Sequence, residues 1–272
     1  MRHLAWALAL FVIPPAVHAQ RSVEHTEWRA VFDSAGVSGT IAVRRVGDSV
    51  THVFDAGRAT RGFIPASTFK IPNSLIAFEL GIVPDEHRRY PVTWTKQTIE
   101  SWNRPHTFRT AFKYSVVPIY QIVAREVGEA RYTEWLARLA YGNRLATGGV
   151  DRFWLDGDLR ISALQQLDFL EQLATRRLPV SERAQRLVAE LMLNEADMCH
   201  VLRAKTGLIG VSATRKVEPV GWWVGWVESD TSTTLFALNI DIRDSNDSAQ
   251  RQRVARSILR TIGALSAKPC SP

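Results

Sequence analysis

The feature that most restricts the fold of this chain is the separation of its strand patterns into two groups. Runs of β-branched residues flank Gly47-Asp48, which indicates an early hairpin. Strand patterns return only after helical periodicity that runs from residue 71 to about 177. The later strand patterns lie at 201–205, 221–227 and 233–240. Because apolar strand faces need a common partner, the two groups are expected to share one antiparallel sheet, with a helical lobe inserted between them.

Amphipathic helices are predicted at both ends of this pattern. Ser22–Gly36 carries Trp28, Val31 and Phe32 on one side, and we expect a helix there. The C-terminal helix is predicted to bury one apolar stripe. The stripe consists of Val254, Ile258, Ile262 and Leu265.

The predicted fold class is therefore α/β of the α+β type. An antiparallel sheet is flanked by the N- and C-terminal helices and carries an inserted all-helical lobe. We expect a single domain over 20–272, with the sheet lobe at approximately 20–64 and 180–272. The helical lobe is expected at approximately 65–179.

Residues 1–19 have the form of a secretory signal peptide. A short polar start is followed by a mostly apolar segment from Leu4 to Val17, and Ala19 precedes an expected cleavage before Gln20. A membrane anchor is the alternative, which the short apolar length and Pro14-Pro15 disfavour. Because no other apolar run approaches spanning length, we expect an exported protein without a membrane segment after the signal is removed.

Composition excludes several classes of function. The net charge is +7 and comes mostly from scattered arginines, which favours a solvated basic surface or a field that attracts an anionic substrate. No nucleic-acid-binding module is present. The seven histidines show no metal-ligand spacing, so no metal is expected. No Gly-x-Ser-x-Gly motif and no phosphate-binding glycine loop is present.

The chain contains two cysteines, Cys199 and Cys270. In an exported protein they could pair and pin the C-terminal tail, or they could remain two free thiols. The spacing alone does not favour either state.

Candidate chemistry centres on Ser67 and Lys70, which lie three residues apart in Pro65–Pro72. At a helix start this spacing places both side chains on one face, beside unpaired backbone N–H groups. The helix dipole and burial both favour the neutral, basic form of the lysine. Ser-x-x-Lys can therefore be a nucleophile with its own activator. The alternative is an N-cap serine followed by a solvated lysine.

Three later segments favour the catalytic interpretation of Ser67 and Lys70 over the N-cap interpretation. Ser115-Val116-Val117 opens a predicted helix, where an N-cap is the structural alternative. Tyr141-Gly142-Asn143 ends another helix and could be only a stop signal. Lys205-Thr206-Gly207 leaves a predicted strand and could be a solvated edge.

In this order, the four segments resemble the signatures of class D (oxacillinase-type) serine β-lactamases. The resemblance extends over essentially the whole mature chain, including Phe153-Trp154-Leu155 and Gly221–Glu228. It implies the serine β-lactamase/penicillin-binding-like fold and the hydrolysis of β-lactam antibiotics, and hence antibiotic resistance. The implied intermediate is a serine acyl-enzyme.

The resemblance also implies a role for each matching residue. Ser67 is the nucleophile. Lys70 carries a CO2-derived carbamate (N6-carboxylysine) and is the general base for acylation and deacylation. Ser115 passes a proton to the leaving nitrogen. The residues implied to line the carbamate pocket are Phe69, Val117, Trp154 and Leu155.

Substrate contacts follow from the same resemblance. Lys205 is catalytic and, with Thr206 and Arg251, grips the substrate carboxylate. The backbone N–H groups of Ser67 and Leu208 form the oxyanion hole, and Gly207 lies between the two binding positions. Arg243 and Arg253 remain alternatives to Arg251.

The expected partners are small β-lactam molecules, in the periplasm, with no cofactor besides the carbamate. A homodimer is left open. The functional alternative is a penicillin-binding or β-lactam sensor domain that acylates but deacylates slowly. A peptidase of the penicillin-binding type is disfavoured because the chain has no room for an extra domain.

Overall fold

The computed structural model describes residues 21–212 and 217–266 of the chain. A mixed sheet of seven strands forms its centre, in the order β1-β3-β2-β9-β8-β7-β6. The strands of this sheet are β1 (Arg21–Glu24), β2 (Gly39–Arg45), β3 (Val50–Phe54), β6 (Leu193–Ala196), β7 (Val201–Ile209), β8 (Val220–Glu228) and β9 (Thr233–Asp241). Two short strands, β4 (Arg89–Tyr90) and β5 (His106–Thr107), pair separately.

The expected joining of early and late strands is confirmed. Strand β2 pairs antiparallel with both β3 and β9, so the hairpin around Gly47-Asp48 lies beside the last strand of the chain. The N-terminal segment was predicted wrongly, because β1 is a strand that pairs in parallel with β3. The helix expected over Ser22–Gly36 shrinks to a 3-10 turn at Thr26–Trp28 and a short helix after it.

The helices of the described chain carry the start and stop signals that their sequences indicate. Ser162 and Ser181 cap the helices that follow them, and Ser162 forms a capping box with Gln165. Gly81, with φ of +67°, follows the end of one of the central helices. The helices are α1 (Arg29–Ser34), α2 (Ala56–Thr60), α3 (Lys70–Glu79), α4 (Phe108–Lys113), α5 (Val117–Val127), α6 (Glu129–Arg138), α7 (Ala163–Ala174), α8 (Glu182–Leu191) and α9 (Asp247–Thr261).

Both faces of the sheet are covered by helices. Trp222 and Trp226 on β8 join the larger core, which includes the central helices, whereas Trp223 joins the core formed with α1 and α9. A strand that is buried on both faces needs no polar alternation, which explains the unbroken apolar run of β8. Ile262, expected on the buried stripe of the last helix, is 39% exposed because α9 ends at Thr261.

Two features of the sequence lie outside the described residues. The expected signal peptide is one of them, and Cys270 is the other. Cys199 is described and is not a free thiol. A bond to Cys270, one of the two states that the sequence left open, involves a residue outside the described part of the chain. Within the part of the chain that is described, no helix combines the length and the apolar character that crossing a membrane requires.

Candidate active site

Ser67 and Lys70 meet at the junction of a 3-10 turn with helix α3. Ser67 lies in the turn Ala66–Phe69, and Lys70 is the first residue of the helix. The Lys70 Nζ donates a hydrogen bond of 3.0 Å to the Ser67 Oγ. The three-residue spacing thus brings an amine to a hydroxyl at a helix start, although the first turn is 3-10 rather than α-helical.

The residue before the serine has an uncommon backbone conformation. Ala66 has a φ of +50°, in the left-handed region that residues with a Cβ rarely adopt. Such a conformation costs on the order of 1–3 kcal/mol and persists only where the surroundings enforce it. It therefore directs the chain sharply into the Ser67 turn.

Lys70 lies in an apolar interior. Its side chain is 1% exposed, and its Nζ lies 4.9 Å from the centre of the Tyr120 ring. Burial, and then the positive charge of Lys205, lower the pKa of Lys70 well below its ordinary value. The neutral amine is therefore favoured, and a neutral amine can accept a proton.

Ser115 lies in the turn between α4 and α5. Its φ is +59°, and its N–H donates to the Phe112 carbonyl. It does not cap α5, whose N-cap position is Val116. Instead, the Lys205 Nζ donates to the Ser115 Oγ at 3.1 Å. A second lysine–serine pair therefore joins β7 to the helical part of the molecule.

Lys205, Thr206 and Gly207 lie within β7, and the expectation that they leave the strand was wrong. Gly207 packs against the nucleophile turn, since a Cβ added there would lie 2.9 Å from the Pro65 carbonyl oxygen. Only a residue without a side chain permits this approach. Burial, and then the charge of Arg251, lower the pKa of Lys205 to about 7.

Arg251 reaches β7 from helix α9. Its Nη1 donates to the Gly207 carbonyl at 2.6 Å, and burial lowers its pKa to about 10. Arg243 faces elsewhere, because its guanidinium pairs with Asp247 at 2.8 Å. Within the described segments, Arg251 is the one of the three candidate arginines that is hydrogen-bonded to the Lys205-Thr206-Gly207 segment.

An aromatic cluster surrounds the start of α3. Phe69 is fully buried and stacks on Trp154 with 5.3 Å between ring centres. The Trp154 Nε1 is buried and has no hydrogen-bond partner in the described chain. Leu155 packs against the same core, whereas Val117 lines a cavity beside Trp94. Phe69 and Trp154 thus form a buried aromatic stack at the start of α3, and their role as the wall of a carbamate pocket stays a prediction.

Tyr141, Gly142 and Asn143 fasten the end of α6 to the segment before α7. The Tyr141 hydroxyl accepts from the Gln166 amide at 3.4 Å. The Asn143 backbone N–H donates to the Arg160 carbonyl at 2.8 Å, and its side-chain oxygen accepts from the Arg160 N–H at 3.0 Å. This triplet is a structural support of the candidate site.

Several residues near the site were not identified from the sequence. The Gln166 amide also donates to the Thr68 hydroxyl at 3.1 Å, one residue beyond the nucleophile. Asn73, one turn beyond Lys70, is fully buried, and neither atom of its amide group has a partner in the described chain. Phe112 lies under the Lys205 Nζ, 5.6 Å away. Gln166 and Phe112 are far along the chain from the residues that they contact, so no sequence motif indicated them. Asn73 is three residues after Lys70, and this helical spacing could have suggested that it lies near the Lys70 side chain.

A metal centre has no candidate ligands in the described segments. No group of three or more His, Cys, Asp and Glu side chains there could hold an ion.

Comparison with known proteins agrees with this geometry. Residues 35–260 match the family described as the penicillin-binding protein transpeptidase domain. β-Lactamase OXA-48 of Klebsiella pneumoniae is 45% identical over 90% of this chain and 91% of its own. β-Lactamase OXA-10 of Pseudomonas aeruginosa is 37% identical over 89% of this chain and 91% of its own.

Solved structures give the same result. The class D β-lactamase FUS-1 (OXA-85) of Fusobacterium nucleatum subsp. polymorphum superposes with a TM-score of 0.85 and 33% identity. This match covers 90% of the present chain and all of that one. A class D β-lactamase from Nostoc gives a TM-score of 0.83 at 34% identity, over 88% of this chain and 99% of that one. Sequence, fold and the paired lysine–serine geometry together show that the chain belongs to the class D, OXA-type family of serine β-lactamases.

Proposed function

We propose that this enzyme hydrolyses β-lactams through an acyl-enzyme on Ser67. One observation carries the proposal: a buried amine favoured in its neutral form, Lys70, lies 3.0 Å from the Ser67 hydroxyl. A hydroxyl is a weak nucleophile until a base takes its proton. The pair therefore supplies the attacking oxygen and the amine on which the activating base is built.

Acylation uses the second lysine–serine pair. When Ser67 attacks the carbonyl carbon, the ring C–N bond breaks and the nitrogen needs a proton. Ser115 supplies this proton from its hydroxyl and takes up another from Lys205, whose Nζ is 3.1 Å from the Ser115 Oγ. A pKa of about 7 allows Lys205 to exchange protons near neutral pH.

Binding groups lie along β7. We assign the developing oxyanion to the backbone N–H groups of Ser67 and Leu208, because Gly207 packs against the Ser67 turn. The substrate carboxylate is assigned to Lys205, Thr206 and Arg251. The Arg251 guanidinium, already fixed on the Gly207 carbonyl, offers a planar set of donors.

The surroundings of Lys70 fit carboxylation of its amine. CO2 adds only to a neutral amine, and burial favours that form. The unpartnered Trp154 Nε1 is a donor available to a carbamate oxygen. The carbamate supplies the general base for the Ser67 proton and for the water that releases the product. Phe69 and Trp154 keep other water away from Lys70.

Removal of CO2 tests this assignment. In CO2-depleted buffer we expect the steady-state turnover of the chromogenic cephalosporin nitrocefin to fall about tenfold or more, and bicarbonate to restore it. The scale follows from the 10²–10⁴-fold typical of a general base. Unchanged turnover in depleted buffer contradicts carboxylation, and Ser67→Ala gives the uncatalysed baseline.

Location and assembly belong to the same proposal. We propose that the leader at residues 1–19 directs the enzyme to the periplasm and is cleaved near Ala19. A homodimer also stays a proposal. The boundaries proposed for the sheet lobe remain approximately residues 20–64 and 180–272, with the helical lobe at approximately 65–179.

A further inference from the structure

The outer edge of β7 is only partly covered by its neighbouring strand. Strand β6 pairs with β7 from Val201 to Arg203. At Ala204 two other hydrogen bonds take the place of regular strand pairing. The Ala204 N–H donates to the Met192 carbonyl, and the Asn194 side-chain amide donates to the Ala204 carbonyl. Beyond Ala204, no strand of the described chain covers this edge.

The alternation of a strand shows which backbone groups face this open edge. Adjacent residues direct their N–H and C=O groups to opposite edges, so Thr206 and Leu208 share the edge of Ala204. Under the proposed function, the reacting carbonyl lies at Leu208 and the carboxylate at Thr206. A substrate held there extends toward Ala204.

A cavity of about 390 Å³ lies where that extension leads. Lys205 and Thr206 form the wall that it shares with the candidate active site. Phe112 gives it an apolar surface, and Asn194 and Gln252 provide amide groups. This volume is large enough for a ring substituent of several heavy atoms.

Positive charge dominates the lining of the cavity. Lys113, at the end of α4, is exposed and has no ion-pair partner in the described segments. Arg109 also lines the cavity, but its guanidinium forms an ion pair with Glu86 at 3.2 Å. The carboxylate on the wall, Glu190, lies 3.5 Å from the Arg203 guanidinium, which compensates its charge. Lys113 is therefore the cation that is most available to a ligand.

We propose that this cavity is a subsite for the substituent that a β-lactam carries beside its carboxylate, and that Lys113 makes it favour anionic substituents. The inference rests on the proposed function, because Ser67 and Thr206 fix the direction in which the substrate extends. The predicted ligand class is a cephalosporin with a second carboxylate on its C3 substituent. Lys113 is a specificity-determining residue in this account and takes no part in the chemical step.

The test compares two cephalosporins that share one acylamino side chain. One carries a carboxylate on the C3 substituent, and the other carries the methyl ester of that carboxylate. For Lys113→Glu we expect kcat/KM for the dianionic substrate to fall about fivefold relative to its ester, the scale of reversing one exposed charge. Lys113→Gln is expected to give a smaller fall, and 0.5 M NaCl to reduce both.

Two controls separate this inference from the proposed function. Arg131→Glu changes the net charge by the same amount on the exposed face of α6, and it is expected to leave the substrate ratio unchanged. A penicillin, which carries only two uncharged methyl groups at this position, is expected to be hydrolysed equally by the wild type and Lys113→Glu. An unchanged ratio in an active Lys113→Glu overturns the subsite, as does an equal fall in Arg131→Glu. Failure of the wild type to hydrolyse any β-lactam overturns the proposed function instead.

Discussion

At the scale of single residues, the site depends on two lysines with lowered pKa values that are each hydrogen-bonded to a serine. Burial lowers the pKa of Lys70 strongly, and the charge of Lys205 lowers it further. Lys205, beside Arg251, has a pKa of about 7. Under the proposed function, these two lysines have two tasks: Lys70 provides the base and Lys205 acts as the proton donor.

Burial of Lys70 should cost stability in a way that depends on pH. The unfolded chain holds the Lys70 proton up to about pH 10.5, whereas the folded chain releases it at a much lower pH. Between these values the unfolded state binds more protons, so folding stability rises with pH. We expect Lys70→Leu to raise the melting temperature by roughly 3–8 °C at pH 7, and this gain to shrink as pH approaches 10.

The measurement is thermal unfolding from pH 6 to 10 in CO2-free buffer. Lys96→Leu removes an exposed lysine, and its effect on the melting temperature should stay small at every pH. A stabilisation by Lys70→Leu that does not change with pH would show that the lysine is not forced into its neutral form.

At the scale of elements, glycines determine how closely the segments around the site approach one another. Gly142 has a φ of +54°, and a Cβ added there would lie 2.1 Å from the Arg160 carbonyl oxygen. Gly36 has a similar φ of +65°, but no atom lies within 4 Å of an added Cβ. An alanine at Gly36 would therefore suffer backbone strain alone, whereas an alanine at Gly142 would suffer the same strain and a steric overlap as well.

We expect Gly142→Ala to lower the free energy of unfolding by at least ~3 kcal/mol, and Gly36→Ala by about 1 kcal/mol. The smaller value is the cost of left-handed backbone for alanine, and the excess comes from displacing the Arg160 segment. Urea unfolding of the two variants measures the difference. Equal losses would mean that α6 and the segment before α7 are not in close contact.

The accuracy of prediction from the sequence also differs between elements. Ser162 and Ser181 were correctly placed at helix starts because a cap acts within four residues. Strand β1 was predicted as a helix because its pairing partner, β3, lies more than 25 residues away and leaves no local pattern. Helix α4 and strand β6 were missed because they are only six and four residues long, too short for a periodic pattern.

At the scale of the whole molecule, the candidate site is assembled from segments that are remote in sequence. The Ser67 turn, Ser115, the middle of β7 and Arg251 belong to four different parts of the chain. The order of the motifs and the resemblance to the class D family predicted which residues to expect. The distances between these residues depend on β7 packing beside the Ser67 turn. That contact joins remote parts of the chain, so no local sequence pattern predicts it. The Gln166 bond to Thr68 shows the same limit.

The most direct test of the central claim is intact-mass spectrometry of the protein mixed with a penicillin and followed from milliseconds to minutes. We predict an adduct equal to one penicillin that appears and then disappears as hydrolysed product accumulates. Lys70→Ala should acylate slowly and retain its adduct, and Ser67→Ala should form none. An adduct on the wild type that never decays would contradict hydrolysis and identify a β-lactam receptor, and rapid product release by Lys70→Ala would contradict the role given to that lysine.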